Sequence, residues 1–406
     1  MATPWTTASV ADCLTHVPAA GKTKLQARDY KPAGRFPVVD QGQERIAGWT
    51  DDESAVISEP LPLIVFGDHT RAFKFIDQPF ARGADGTQLL KPKPGIDPLF
   101  FFYACKAIDL PARGYNRHFT MLKEQELSYP GEAEQKPIGS VLRRVDLASE
   151  QQSALLLNAQ ALKQAAMREL FARGLRGVAQ KDTEIGMLPE DWQVVPLGSM
   201  GKIGNGTTPN RQHAVYWQDG TLPWITSGRM YERRINGADS RVTREALEEC
   251  SLPLLQPGAV LIAIVGQGKT LGHCAILDVE ATVSRHVGFI QPKADVICPG
   301  YLRGFLESQY AYLRQLASGN GSTRGALTCS ILRGLPIPLP PIDEQQEIVV
   351  ILDVLDRKIA LHQRKRAVLD DLFKALLHKL MTGEIKVGEL DLSALERAPA
   401  PEGAHA

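Results

Sequence analysis

The chain has 406 residues, enough for two or three domains with ample core, and its 44% hydrophobic and 23% charged content is that of an ordinary soluble globular protein. No run of about 18 apolar residues occurs, which excludes a membrane-spanning helix, and Met1-Ala-Thr-Pro-Trp5 shows neither the basic region nor the apolar core of a signal peptide. Basic and acidic residues both number 46, so the net charge is zero; this argues against a general nucleic-acid coat protein and leaves room for a sequence reader with a local basic face.

The first predicted element is a short buried strand in Gly34-Arg-Phe-Pro37-Val-Val-Asp-Gln-Gly42, ending in a glycine turn. An apolar β-run follows at Leu63-Ile-Val-Phe-Gly67, leading to Asp68-His-Thr-Arg71. A helical patch at 99–107 then runs into the basic turn Arg113-Gly-Tyr-Asn-Arg117-His118. Glu134-Gln135 opens a long helix with Pro137 in its first turn, where a missing N–H is tolerated, and Gly174 stands just past its end as a cap. A polar linker, Ala179-Gln-Lys-Asp-Thr183, leads to Ile185-Gly-Met-Leu-Pro189-Glu-Asp-Trp192.

From there the pattern repeats. Gly220-Thr-Leu-Pro223-Trp-Ile-Thr-Ser-Gly228 echoes the first strand, Val260-Leu-Ile-Ala-Ile-Val-Gly266-Gln-Gly-Lys269-Thr270 echoes the β-run, and 301–316 with Ser318 to Arg324 echoes the helical patch and basic turn. After Pro341 a second long helix is predicted over about 343–381, with Gly383 beyond it. The two helices match without a gap at an offset of 210 residues (134 to 344): Ile138 with Ile348, Leu142 with Leu352, Asp146 with Asp356, Leu162 with Leu372, Leu170 with Leu380.

Stepping by four and three along the second helix gives Ile348, Leu352, Leu355, Ile359, His362, Arg366, Leu369, Phe373, Leu376 and Leu380. The first copy gives Ile138, Leu142, Val145, Ser149, Gln152, Leu156, Ala159, Lys163, Ala166 and Leu170. Each is a coiled-coil seam with apolar ends and a more polar middle. About 38 residues span roughly 57 Å at 1.5 Å per residue. Equal length suits a spacer, so the helices are expected to pair antiparallel with each other.

The fold class expected is mixed α/β (α+β): two globular heads and two long antiparallel coiled-coil helices in a pseudo-twofold repeat. The boundaries read are 1–133 for the first head, 134–177 for the first helix, 178–342 for the linker and second head, 343–383 for the second helix, and 384–406 for a tail whose Pro/Ala-rich end, 398–406, is expected to be disordered.

Several pieces together resemble the specificity subunits of type I restriction–modification systems. They are Pro338-Leu-Pro-Pro-Ile-Asp-Glu-Gln-Gln-Glu-Ile348, Leu188-Pro-Glu-Asp-Trp192, Tyr216-Trp217 with Leu222-Pro-Trp-Ile-Thr-Ser-Gly228, and Val65-Phe-Gly-Asp-His-Thr-Arg71. The first helix departs from the pattern, having Tyr129-Pro-Gly-Glu-Ala-Glu-Gln135 in place of a proline-rich lead-in. The resemblance implies that each head is a target recognition domain reading one half of a split double-stranded DNA sequence. It implies two methyltransferase subunits docked on the helices, modifying adenine at N6 with S-adenosylmethionine, and restriction/translocase subunits that cut unmodified DNA with ATP and Mg. All these cofactors would sit on the partners, none on this chain, and the chain would be a non-catalytic cytoplasmic subunit with no membrane partner.

The residues agree that chemistry is elsewhere. No (N/D)PP(Y/F) tetrapeptide occurs, since Leu339-Pro-Pro-Ile342 lacks both its polar and its aromatic member. A phosphate loop at Gly266-Gln-Gly-Lys269-Thr270 would need glycine where Ala263 stands. There is no HExxH, the nine histidines are dispersed, Ser227 is not in a G-x-S-x-G elbow, and the six cysteines form no CxxC pair, so they read as reduced thiols. The rival readings are a coiled-coil adaptor whose heads bind protein and a self-contained modification enzyme, the latter opposed by the missing motifs.

Bases are read by groups that hydrogen-bond at groove edges, and phosphates by arginine, lysine and backbone N–H. Candidates in the first head are Gln41, His69, Thr70, Arg71, Lys74, Arg113 and Arg117; in the second, Ser227, Arg229, Arg233, Arg234, Gln267, Lys269, Arg285 and Arg324. Gly42, Gly67, Gly228 and Gly266 would allow close backbone approach. Arg357-Lys358 and Arg364-Lys365-Arg366 read as a solvated face or a partner-docking face.

Overall fold

Two helices dominate the computed structural model, Glu132–Arg173 and Ile342–Met381, of 42 and 40 residues. The structure describes residues 5–18, 22–83, 86–111, 117–266, 268–318 and 325–391. Gly174 and Gly383 follow the helices with φ of +63° and +73°, the left-handed turn glycine supplies at a helix end.

The chain divides into two compact units, Met1–Ala154 with His362–Ala406, and Leu155–Leu361. Each unit therefore holds one head and a part of both long helices. In the first unit, Gln152 meets His362 at 2.8 Å and Ser149 Oγ donates to Asp370. In the second, Lys163 meets Asp356 at 2.7 Å and the Leu175 N–H donates to Glu344 at 2.6 Å. Numbers rising on one helix meet numbers falling on the other, so the pairing is antiparallel in each unit. Every residue of the two seams is buried or half-buried except Arg366, which is exposed.

In the first unit, Phe36–Val39 is flanked by antiparallel Gly48–Thr50 and parallel Phe80–Arg82. In the second, Leu222–Ile225 is flanked by antiparallel Ser240–Val242 and parallel Thr282–Val283. Val38 faces Ala81 as Trp224 faces Thr282, so the sequence echo from Gly34 and Gly220 is also a match of register. Leu63–Gly67 lies between Phe73–Ile76 and Thr87–Leu90, and Val260–Ala263 between Cys274–Leu277 and Val287–Pro292. The second of these sheets gains Gly201–Asn205 and Arg234–Ile235 at its edges. A two-stranded pair leads into each long helix: Thr6–Ser9 with Glu126–Tyr129, and Gln193–Pro196 with Pro336–Leu339.

Two features differ from the sequence reading. The polar linker forms the first strand of a β-hairpin, Gln180–Thr183 against Gly186–Pro189; none of its polar strand residues is buried, and burial is confined to Leu188 and Pro189 of the second strand. The second echo is also shifted. Gly67 lies opposite Thr87 at the sheet end, where Ala263 lies opposite Val287, so Gly67 corresponds to Ala263 and Gly266 belongs to a longer loop beyond it.

Each head is fixed to its helix start by a buried glutamine. Gln135 Oε1 accepts from the Asp97 N–H at 2.7 Å, and its Nε2 donates to the Gly95 and Pro130 carbonyls at 3.2 and 2.9 Å. Gln345 repeats the set with Cys298, Val296 and Pro340 at 2.8, 3.2 and 2.9 Å. The first unit's main core joins Phe100, Phe101, Tyr103 and Leu122 to Ile138 and Leu142 of one helix and Leu376 and Leu380 of the other. The second unit's joins Trp192, Tyr301 and Leu306 to Leu170 and Phe171, and to Ile348 and Leu352.

Candidate functional site

The strand ends of each head meet at one edge through a ladder of backbone hydrogen bonds. In the first head the Gly83 N–H donates to Val39 O at 2.8 Å, the Asp68 N–H to Gly86 O at 2.7 Å, and the His118 N–H to Asp68 O at 3.1 Å. In the second the Ser284 N–H donates to Ile225 O at 2.9 Å, Ile264 N–H to His286 O at 3.0 Å, and Leu327 N–H to Ile264 O at 2.8 Å. The order of segments is the same in both heads. The described loop residues gathered at these edges are 40–43, 67–72 and 117–119 in the first, and 206–208, 226–228, 264–266, 268–272 and 284–286 in the second.

In the first head Thr70 Oγ1 donates to Gln41 O, which joins two of these loops. Gly67 has to be glycine, because a Cβ there would stand 2.6 Å from Gln41 O. The Gly42 N–H is turned onto Asp40 Oδ1 at 2.8 Å. His69 is half-buried at the same edge, and Arg117 is exposed beside His118, whose imidazole also meets the Asp68 carbonyl at 2.8 Å. Arg71 takes a left-handed φ of +62° and turns its guanidinium onto the Leu110 carbonyl. Lys74 is buried beneath the edge and not displayed on it: it is 6% exposed, its ammonium donates to Asp40 O of the 40–43 loop at 2.8 Å, and burial pushes it below the usual lysine range against the pull of Asp40. Arg113 lies outside the described residues.

In the second head Ser227, Gly228, Lys269 and Arg285 stand at the edge, with Gly228, Lys269 and Arg285 exposed. The Arg285 N–H reaches Thr208 Oγ1 at 3.4 Å, bringing 206–208 into the group. The arginine-rich stretch after Gly228 is engaged within the fold. Arg229 forks onto Glu232, which raises it above the usual range. Arg234 forks onto Asp278 at 2.8 and 2.5 Å and is raised by it. Arg233 pairs with Asp353 and Asp356 of the second long helix, and burial lowers it despite Asp356. Gln267 and Arg324 lie outside the described residues. Among the described residues no group of three His, Cys, Asp or Glu side chains is placed to hold a metal ion.

Residues 189–371 match the family described as the type I restriction modification DNA specificity domain. The EcoR124I/EcoR124II type I restriction enzyme specificity subunit of Escherichia coli is 24% identical over 344 residues, 82% of this chain and 83% of its own length. The MjaIX specificity subunit of Methanocaldococcus jannaschii is 30% identical over 203 residues, 48% of this chain and 45% of its own length. Over most of its length the chain is similar to type I restriction enzyme specificity subunits. The S subunit of M. genitalium superposes with a TM-score of 0.65 at 17% identity, over 93% of this chain and 96% of that one, a likeness of fold.

Three side chains near these edges escaped the sequence reading. Arg211 lies over the rings of Trp217 and Trp224 at 4.1 and 4.8 Å, in the run that begins with the 206–208 loop. Tyr310 and Arg314 lie under residues 268–271: Tyr310 Oη donates to Lys269 O at 2.6 Å, and Arg314 Nη1 to Gly268 O at 2.8 Å. The Tyr-Trp pair at 216–217 was a signal for the first. Tyr310 and Arg314 carried none, since they sit on an amphipathic helix, Tyr310–Ser318, 41 to 46 residues from the carbonyls they hold.

Proposed function

We propose that this chain reads a split double-stranded DNA sequence, one half with each loop edge, with the long helices as the spacer between the two readings. The duplicated ladder of strand-end hydrogen bonds carries this reading, because a reader of two half-sites needs the same display surface twice. Gln41, Gly42, His69, Thr70 and Arg117 serve the first edge; Ser227, Gly228, Lys269 and Arg285 serve the second. Arg71, Lys74, Arg229, Arg233 and Arg234 act behind these edges by holding loops and strands in place.

The chain does no chemistry of its own. Two adenine-N6 methyltransferase subunits dock on the helices, bringing S-adenosylmethionine, and restriction/translocase subunits join with ATP and Mg. Support for two docking sites comes from Leu162 and Leu372, the same position of the repeat, which are 53% and 39% exposed. An apolar side chain kept at the surface of both helices suits a partner that covers it. The exposed Arg357, Lys358, Arg364, Lys365 and Arg366 are available to the same partners.

The test is a genome-wide map of N6-methyladenine in the host with and without this gene. Loss of methylation at one motif of two short blocks around a fixed gap is the expected result. An unchanged map in a host whose methyltransferase subunits are expressed would refute the reading. A protein-binding adaptor would also lack the steep fall of DNA affinity with salt that phosphate contacts impose.

A further inference from the structure

The loop between Val260–Ala263 and Cys274–Leu277 is longer than its counterpart in the first head, and it is held from below by a single helix. Arg314 Nη1 donates to Gly268 O at 2.8 Å and reaches Leu271 O at 3.3 Å. Tyr310, one turn earlier, donates to Lys269 O at 2.6 Å. On the other side Tyr231 Oη and Thr270 Oγ1 are 3.0 Å apart. The rings of Tyr231, His273 and Tyr310 form a continuous row of tilted contacts with centroid spacings of 4.6 and 4.8 Å. The loop closes on this row of rings through Gly272, at φ +89°, where a Cβ would press to 3.3 Å from the Tyr310 ring.

Three carbonyls of one short loop are thus drawn inward by two side chains. Because a trans peptide sets its N–H opposite its C=O, the N–H groups of Lys269 and Thr270 are turned the other way, and Lys269 is exposed. A surface that presents N–H groups and an ammonium while its carbonyl oxygens are satisfied from behind suits a polyanion. The first head has the same joint with the donor reversed: there the loop's own Arg71 reaches back to the Leu110 carbonyl, just past the helix Pro98–Ala107.

We propose that Tyr310 and Arg314 are positioning residues for DNA recognition: they fix the 268–271 backbone in the one conformation that lets the second head discriminate its half-site. This rests on the reading of the chain as a split-sequence reader. Loss of either brace frees the loop to meet alternative base pairs, so specificity relaxes in one half of the target and the other half is untouched.

The experiment uses the full chain with its resident methyltransferase subunits, carrying Tyr310→Phe or Arg314→Ala, with N6-methyladenine mapped across the genome. Tyr310→Phe keeps the ring contacts and removes only the hydroxyl. Methylation at sites that depart from the motif in one half should rise on the order of ten-fold, the same half in both variants. An unaltered motif in both variants overturns the proposal, as does relaxation of both halves, or a uniform fall in methylation at an unaltered motif, which a merely structural role would give. Should Arg314→Ala abolish methylation, the near-isosteric Tyr310→Phe decides by the same criteria. A wild-type chain that directs no split-motif methylation would instead sink the underlying reading, and the proposal with it.

Discussion

Gln345 is fully buried, and its three side-chain hydrogen bonds all go to backbone groups of its own head. Truncation strands the Cys298 N–H and two carbonyls, and an unsatisfied buried polar group costs about 1–3 kcal/mol. Gln345→Ala should therefore lower stability by about 3 kcal/mol or more, read as a shift of the urea midpoint. Gln345→Glu should not rescue it, because a carboxylate accepts from Cys298 but cannot donate to Val296 and Pro340. A loss under about 0.5 kcal/mol, that of an ordinary surface site, would count against the anchoring role. The repeated Glu-Gln pair was legible as the opening of each helix, yet its purpose was not. Gln135 and Gln345 do the same work, whereas Glu134 is exposed and Glu344 is buried, accepting from the Leu175 N–H and Trp192 Nε1. The same limit applies to the arginines. Arg234 looks free along the chain because Asp278 lies 44 residues away, and folding brings them together.

At the level of elements, the two helix seams solve one packing problem in two ways. Phe373 stands where the repeat has Lys163. In the first unit Phe373 packs on Tyr103, Lys106 lies 4.7 Å over its ring, and Asp146 accepts from Tyr103 Oη at 3.0 Å. In the second unit Lys163 bridges Glu307 at 2.6 Å and Asp356 at 2.7 Å, while Arg303 and Arg233 also face Asp356. Removing one member of a buried ion cluster leaves the others uncompensated, at about 3–5 kcal/mol for a fully buried pair. Glu307 is 33% exposed and Asp356 keeps two arginines, so Lys163→Ala should cost about 2–3 kcal/mol. Hydrogen exchange should show it as faster opening of 155–173 and 299–308, with the first unit unaffected. Protection unchanged in those segments would mean that the network contributes nothing. The seam itself was legible, down to its polar middle, because burial imposes a strict period. The ionic cluster was not, since Arg233, Arg303 and Lys163 come from three different segments.

For the molecule as a whole, the repeat, the antiparallel pairing and the two heads could be read from a 210-residue offset and a helical period. Which head takes which part of each helix could not, because the seam has one pattern from end to end. The division found is uneven in sequence: the second unit is the unbroken stretch Leu155–Leu361, while the first needs residues from both sides of it. A chain ending at Leu361 would remove Leu376 and Leu380, 8% and 0% exposed, from the first unit's core, together with Leu369, Phe373 and Leu377 packed against it. Two buried leucines alone are worth about 4 kcal/mol, against a domain stability of about 5–15 kcal/mol. The truncated chain should therefore lose order in residues 5–154, more than 200 positions from the cut, while 155–361 stays folded. Limited proteolysis followed by mass spectrometry separates the outcomes: cleavage spread through the first head with an intact 155–361 core is expected. A first head as resistant as in the full chain would show that its core does not depend on the second helix, and the division of the molecule would have to be redrawn along the sequence.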